Sequence, residues 1–444
     1  MRNLKSTVVS FALFSVSTAW AQSSETFENF FDKTLNGHQA TFIEGKTVKV
    51  KAITDTQAKV WKAWVNANNK FKEEKLIAIA PLSGDTKSRW NIPETLEPHA
   101  VMPYYFGSKG ECPEEGYPFF LYLHGSGPKA AEWSTGLKLA QIFDDGPSLY
   151  FVPQIPNEGE YYRWYQPSKQ YVYEKLFRQT LMNESVNPNR LYVFGISEGG
   201  YGSQRFASFY ADYLAAAGPM AGGEPLKNAP VENCRHIGFS FLTGALDKGF
   251  YRDILTTYTK EAFDSLQRIN PEDFKHRIEL VPNRAHAIDY RPTTPWLKQY
   301  VRNPWPKQFT WEDYEMGGRH RKGFYNIVVR ERPDEKLRTR YDVDIENNIV
   351  NIKVQNVHYT TIEKDPRWGI EMKFTKEYSL AEKGKFVLYF NEHLVDLKKK
   401  VLVKVNGREV FNAKLKCNTA NMANALATFF DPMRIYPAAV EVEL

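Results

Sequence analysis

Ser197 stands in Gly195-Ile196-Ser197-Glu198-Gly199-Gly200, a Gly-x-Ser-x-Gly arrangement. Glycines two residues to either side let neighbouring backbone approach without a Cβ clash, so the serine can occupy a sharp, strained turn. Arg190 to Phe194 is a short β-type run after the turn Asn187-Pro188-Asn189, and Tyr201 to Ala207 can begin a helix, so the context is strand, turn, helix. The chemistry this context serves is nucleophilic attack by a hydroxyl that points off a sheet into a cleft. A serine hydroxyl is a poor nucleophile at neutral pH. It needs a base, an acid to orient the base, and N–H donors for the oxyanion formed on attack.

In this kind of site the chain order is serine, acid, histidine. His236 and His276 precede strands, which puts them at the wrong end of a sheet, while His320, His358 and His393 lie in or near the C-terminal region. His286, in Arg284-Ala285-His286-Ala287, follows the last predicted strand of the region around the serine and is the expected base. Asp247, in Thr243-Gly244-Ala245-Leu246-Asp247-Lys248, is the expected acid. Asp253 and Glu224 are the runners-up, Asp253 falling where a helix begins and N-capping would explain it. The alternative for Asp247 is a surface pair with Lys248. The Glu198 backbone N–H is the expected first oxyanion donor. The second should come from His124-Gly125-Ser126-Gly127, a turn directly after an apolar strand, with Ser126 favoured and His124 fixing the turn.

The elements that must position these groups alternate. Val101 to Phe106 and Tyr117 to Leu123 read as strands, Leu137 to Phe143 as helix, Leu149 to Pro153 as strand, and a helix begins near Ser168. After the serine come strands at Leu214 to Ala217, Ile237 to Thr243 and Ile278 to Val281, with a helix from about Ile254 to Leu266. The alternation predicts an α/β fold whose mostly parallel sheet has helices on both faces and carries its ligands at the carboxyl ends of the strands. Beyond Pro304-Trp305-Pro306 the segments become short and alternating, and Asn406-Gly407 is a hairpin signal, so residues 305–444 are expected to form a separate all-β, sandwich-like domain that contributes no catalytic residue. Residues 101–304 are then the catalytic domain. Residues 22–100 form an N-terminal helical extension, with Val60, Trp61, Trp64 and Phe71 on the apolar face of an amphipathic helix.

Arg2 and Lys5 precede an apolar run from Val8 to Val16, and Ala19-Trp20-Ala21 offers small residues for cleavage. Residues 1–21 therefore read as a signal peptide cut near Ala21, which implies a periplasmic or secreted protein with no membrane span. The formal net charge is +6, of which Arg2 and Lys5 would leave with the leader. That mild excess does not argue for nucleic acid and is compatible with an acidic substrate. Cys112, Cys234 and Cys417 are far apart, so no metal or redox pair is expected and at most one disulfide could form. The chemistry calls for no cofactor and no metal, and nothing in the sequence bears on oligomeric state.

Taken in order, His-Gly-Ser-Gly, Gly-Ile-Ser-Glu-Gly-Gly, Thr-Gly-Ala-Leu-Asp and Arg-Ala-His resemble an α/β-hydrolase of the secreted esterase group. The tail from Pro295-Trp296-Leu297 to Val405-Asn406-Gly407 is similar to the C-terminal part of bacterial polysaccharide-associated esterases. The resemblance implies a two-domain enzyme that removes methyl or acyl groups from plant glycans. Glu198 departs from the histidine, methionine or glutamine of many such enzymes. Tyr161 to Tyr165, Arg252 and Arg291 follow strands of the sheet, and Tyr162, Arg163, Trp164 and Arg252 are the expected substrate contacts, aromatics stacking on sugar and arginine holding a carboxylate. Methyl-esterified pectin is the first expectation, and acetylated or feruloylated glycans are the second. The rivals are a prolyl-type serine peptidase, whose regular propeller repeats are not seen here, and a glycan-binding protein that keeps the fold without the chemistry.

Overall fold

Tyr117–Leu123 and Ser148–Pro153 are buried along their whole length, as strands must be when both faces of a sheet are covered. They lie at the centre of the computed structural model, which describes residues 26–444. The expected leader lies outside the described residues. The chain enters through two helices, α1 (Phe27–Leu35) and α2 (Ile53–Lys70), packed on each other with Phe31 edge-on to Trp64 at 5.1 Å. Trp64 is buried, as its place on the apolar face predicts.

The main sheet contains β1 (Lys87–Asn91), β2 (Val101–Lys109), β3 (Tyr117–Leu123), β4 (Ser148–Pro153), β5 (Val186–Ile196), β6 (Ala216–Met220), β7 (Gly238–Gly244) and β8 (His276–Val281). Its spatial order is β1-β2-β4-β3-β5-β6-β7-β8. Strands β1 and β2 pair antiparallel and every pair from β3–β4 onward is parallel. The connections include α3 (Lys129–Ile142), α4 (Pro167–Leu181), α5 (Glu198–Phe209) and α6 (Arg252–Ile269), and the short α7 (Thr293–Leu297) follows β8. This is a mostly parallel α/β sheet, as the alternation predicts. Its first strand, β1, lies inside the segment expected to be a helical extension, so the sheet begins before residue 100.

The C-terminal half holds β9 (Gln308–Asp313), β10 (Gly323–Phe324), β11 (Ile327–Glu331), β12 (Arg338–Glu346), β13 (Ile349–Lys364), β14 (Glu371–Leu380), β15 (Lys385–Phe390), β16 (Lys400–Val405), β17 (Arg408–Lys414), α8 (Thr419–Phe429) and β18 (Ala438–Glu443). Six of these strands form one sheet and β10-β11-β15-β18 a second, with Trp311 stacked on Phe324 at 5.5 Å between them. Asn406 and Gly407 both take positive φ, as their hairpin turn requires. The half is not separate in its packing: one continuous cluster of buried apolar residues runs from Phe30 through the main sheet to Val442. Helix α8 packs on α2, so the N-terminal helices belong with the end of the chain.

The seam between the halves also buries ions. Asp212, just after α5, accepts from Arg321 and Arg434, while Asp431 accepts from Arg302 at 2.8 Å and from Arg434 at 2.7 Å. Arg434 is fully buried, its guanidinium 4.1 Å from the centre of the Tyr213 ring and 4.5 Å from that of Phe429. Burial alone would raise the Asp212 carboxyl, but the two guanidiniums outweigh it and hold its pKa low. The three cysteines are unpaired, with Cys112 exposed and the other two buried. Among the described residues no helix is long and apolar enough to cross a membrane.

Asp212→Ala should therefore leave buried Arg321 without its carboxylate and Arg434 with Asp431 alone, and cost about 3–5 kcal/mol, read from the urea unfolding midpoint. In the parent protein this stabilisation is present above the ordinary carboxylate pKa and is lost as pH falls through the lower folded value.

Candidate active site

Ser197 sits at φ 56°, ψ −113°, between the last residue of β5 and the first of α5. Its N–H donates to the Met220 carbonyl at 2.9 Å and its carbonyl accepts from Tyr201 at 3.0 Å. The turn is possible because α5 presses directly on β3: a Cβ on Gly199 would lie 1.9 Å from the Leu123 carbonyl oxygen. Two of the glycines read from the motif therefore flank a strained serine, as expected.

His286 follows β8 and Asp247 follows β7. The loops meet because Gly244 has no side chain, a Cβ there falling 1.9 Å from the Ala285 carbonyl oxygen. Leu246 N–H also donates to the Arg284 carbonyl at 2.8 Å. His286 Nδ1 is 2.7 Å from Asp247 Oδ2, and its Nε2 is 3.0 Å from Ser197 Oγ. An ionised carboxylate only accepts, so Nδ1 carries the proton and Nε2 is left to take that of the serine.

Asp247 is buried, and its other oxygen accepts from Arg252 Nη1 at 2.8 Å. Lys248, the alternative partner, turns instead to Asp253. Asp253 lies in the first turn of α6, which is capped by Tyr251, so N-capping does not account for it. Glu224 is held by Arg205 through two bonds of 2.6 and 3.0 Å, and Arg205 stacks on Tyr165 at 3.7 Å. Neither runner-up touches the histidine.

The turn after β3 is fastened from behind. His124 is fully buried; its Nε2 accepts from the Ile155 N–H at 3.0 Å and its Nδ1 lies 2.7 Å from the Gly125 carbonyl. Burial keeps this ring neutral, pushing its pKa down to about 4. The Tyr162 hydroxyl lies 3.0 and 2.9 Å from the Gly125 and Gly127 carbonyls, and Trp164 Nε1 donates to the His124 carbonyl at 2.8 Å. Gly127 N–H is taken by Glu132 at 3.1 Å, while Ser126 lines the cavity with Ser197. Glu198 opens α5, where a backbone N–H has no partner within its own helix.

Two of the expected substrate contacts need correction. Trp164 and Tyr162 are buried, their rings in the core and their polar ends spent on the turn, so they offer no face to a ligand. Arg252 lines the cavity of Ser197 as expected, and its Nη1 also donates to Asp247 and orients that carboxylate. Arg163 remains at the cavity with half its side chain exposed, bonded to its neighbour's carbonyl at 2.7 Å and 3.5 Å from Glu198. Arg291 pairs with Asp289 on the surface. Ser197 opens on two cavities of about 510 and 560 Å³, the second lined by Glu132, Leu139, His286 and Tyr290. A cleft of about 670 Å³ between Arg235, β9, β12 and β13 holds none of these residues.

Sequence reasoning missed the far wall of the first cavity, which is formed by Phe250, Lys364, Trp368 and Glu371. Strand β13 is not short like the segments expected there: it runs on to Lys364 as an exposed arm paired with β14. A solvated arm has no buried face, so it leaves no alternation to read.

No family model and no curated protein matches this chain. Among solved structures, a thermostable esterase aligns at 19% identity and TM-score 0.36, over 49% of this chain and 64% of that one. A ferulic acid esterase of Anaeromyces mucronatus aligns at 14% and 0.34, over 48% of this chain and 93% of that one. A putative dipeptidyl aminopeptidase IV of Bacteroides ovatus aligns at 11% and 0.34, over 48% and 34%.

Glu198 is the unusual group of the cleft. Burial pushes its carboxyl up to about 7 against the pull of Arg163, and its Oε1 is buried with no hydrogen-bond partner. The folded state therefore binds more protons than the unfolded chain between the ordinary glutamate value of 4.5 and about 7. Stability held below that window should fall as pH rises through it. Glu198→Gln should not show the fall, so the two proteins should diverge in Tm from pH 5 to pH 8, with the parent lower at the alkaline end.

Proposed function

We propose that this protein is a serine carboxylic-ester hydrolase. The observation that carries the reading is the chain of contacts from Asp247 through His286 to Ser197 on a strained elbow. His286 Nε2 takes the proton of Ser197 Oγ as the oxygen attacks an ester carbonyl, and Asp247 stabilises the imidazolium that forms. The Glu198 and Ser126 backbone N–H groups are assigned to the oxyanion. The imidazolium returns its proton to the departing alcohol, leaving an acyl-enzyme, and water activated by the same histidine releases the acid. Arg252 holds Asp247 in place.

For the substrate we propose an esterified plant polysaccharide, with the methyl ester of galacturonan first and acetyl or feruloyl esters second. Arg163 supports an acidic glycan, since its half-exposed guanidinium stands at the cavity that contains Ser197. The leader reading supports export, and residues 305–444 serve as a module that helps place the substrate.

A fluorophosphonate should label the intact protein and fail to label Ser197→Ala, which should lose several orders of magnitude in kcat. Labelling of the variant would refute the serine assignment. Methanol, acetate and ferulate release should be followed on pectin, acetylated xylan and feruloylated arabinan. Acetate or ferulate as the only product would end the methylesterase reading. Turnover of peptide amides without ester turnover would favour a peptidase.

Arg163→Ala should reduce kcat/KM more on methyl-esterified galacturonan than on p-nitrophenyl acetate. Equal losses would assign Arg163 to holding Glu198.

A further inference from the structure

The arm formed by β13 and β14 leaves its own sheet and ends at the cavity of Ser197. At its turn, Trp368 is 49% exposed and Phe250, from the loop between Asp247 and α6, is 42% exposed. The rings are 4.7 Å apart and inclined at 55°, so they form an open angle at the rim. Two large apolar rings side by side in water are costly unless something covers them. Arg367 packs on Trp368 with its guanidinium 4.7 Å from the ring centre, which orients the indole and adds positive charge.

The contact is built, not incidental. Phe250 and Tyr251 both take positive φ, 52° and 59°, a conformation that strains a residue with a side chain. It carries the Tyr251 hydroxyl to Asp365 Oδ1 at 2.7 Å, while Asp365 Oδ2 caps the Trp368 N–H. The loop that begins at Asp247 is thereby fastened to the arm. Lys364 lines the cavity beside these rings, and the neighbouring Glu371 is already occupied by Lys227 at 3.0 Å and Thr361 at 2.6 Å.

We propose, resting on the esterase reading, that the tip of this arm is a glycan subsite that takes a uronic acid residue. One sugar face lies against Trp368 and Phe250, and its free carboxylate meets Lys364, with Arg367 adding to the field. A neighbouring esterified residue of the same chain then falls at Ser197. A sugar ring offers the C–H face that suits an aromatic angle, and the cationic side chains around it select an acidic ring over a neutral one. A feruloyl group could use the rings but has no carboxylate for Lys364.

The test has a binding arm and a kinetic arm, both on the full chain. In a Ser197→Ala background, calorimetry with unesterified tetragalacturonate should show affinity about tenfold weaker for Trp368→Ala and several-fold weaker for Lys364→Met. Added salt should weaken the Lys364 protein more than the Lys364→Met protein. Trp368→Phe should recover part of the loss, which separates ring stacking from a collapsed arm. With Ser197 restored, Trp368→Ala should lose at least five times more kcat/KM on methyl-esterified tetragalacturonate than on p-nitrophenyl acetate. Unchanged binding in both variants, equal losses on both esters, or equal affinity for neutral xylotetraose would overturn the proposal. The binding arm needs no turnover, so it decides the subsite even if no ester is hydrolysed and the esterase reading falls.

Discussion

The approach of α5 to β3 is the constraint on which the site depends. Gly199 and the Leu123 carbonyl are so close that no side chain could stand between them. With the helix held there, the chain can leave β5 for α5 only through a left-handed residue, and Ser197 is that residue. A non-glycine residue pays strain at such a dihedral, which persists because packing on both sides overdetermines it. The same approach puts the turn after β3 beside the first N–H groups of α5. Nucleophile and candidate oxyanion donors thus follow from one backbone contact, and the side chains behind the turn, His124, Tyr162 and Trp164, keep it from relaxing.

Charge in the cleft is arranged by the same economy. Asp247 is buried, and a buried carboxylate needs compensation. Arg252 gives it one charged partner and His286 a second hydrogen bond, so both of its oxygens are satisfied. Glu224 has Arg205 in the same way. Glu198 differs because Arg163 is half in water and stands 3.5 Å off, and one oxygen has no partner at all. Its raised pKa follows, and near neutrality its charge is the most easily changed in the cavity.

Much of this was legible in the sequence because it is local or strongly patterned. The elbow needs its glycines at fixed offsets, the buried strands are continuous apolar runs, and the order serine, acid, histidine follows from which strands end at one edge. What was not legible was direction. Trp164, Tyr162 and Arg252 sit after strands, where ligand contacts belong, and their residue types suit a sugar acid. Yet each has a polar end that a protein interior can also use: the indole N–H and the phenol hold the turn after β3, and the guanidinium holds Asp247. Sequence gives the type of a side chain, and only packing decides whether it faces a ligand or its own backbone. Strand β1 was lost for a related reason, since Lys87-Ser88-Arg89-Trp90-Asn91 buries only Trp90 at the sheet edge.

The expected division at residue 305 also fails on packing. A domain boundary read from a change of period assumes that each part closes its own core, whereas here the two parts close one core together. Asp212 lies immediately after α5, the helix that begins beside Ser197, and its carboxylate is held by Arg321 and Arg434 of the other half. Arg302, just before the change of period, reaches across to Asp431. Hydrophobic contact alone would let the halves slide, because it is not directional. Paired guanidinium and carboxylate groups fix both distance and angle, and these are fully desolvated, so a shift that broke them would strand buried charge. The arm that ends at Trp368 belongs to the second half. Its tip stands opposite Ser197 because this seam locks the sheet that carries the arm to the helix that carries the serine, and because Tyr251 and Lys227 fasten the tip itself.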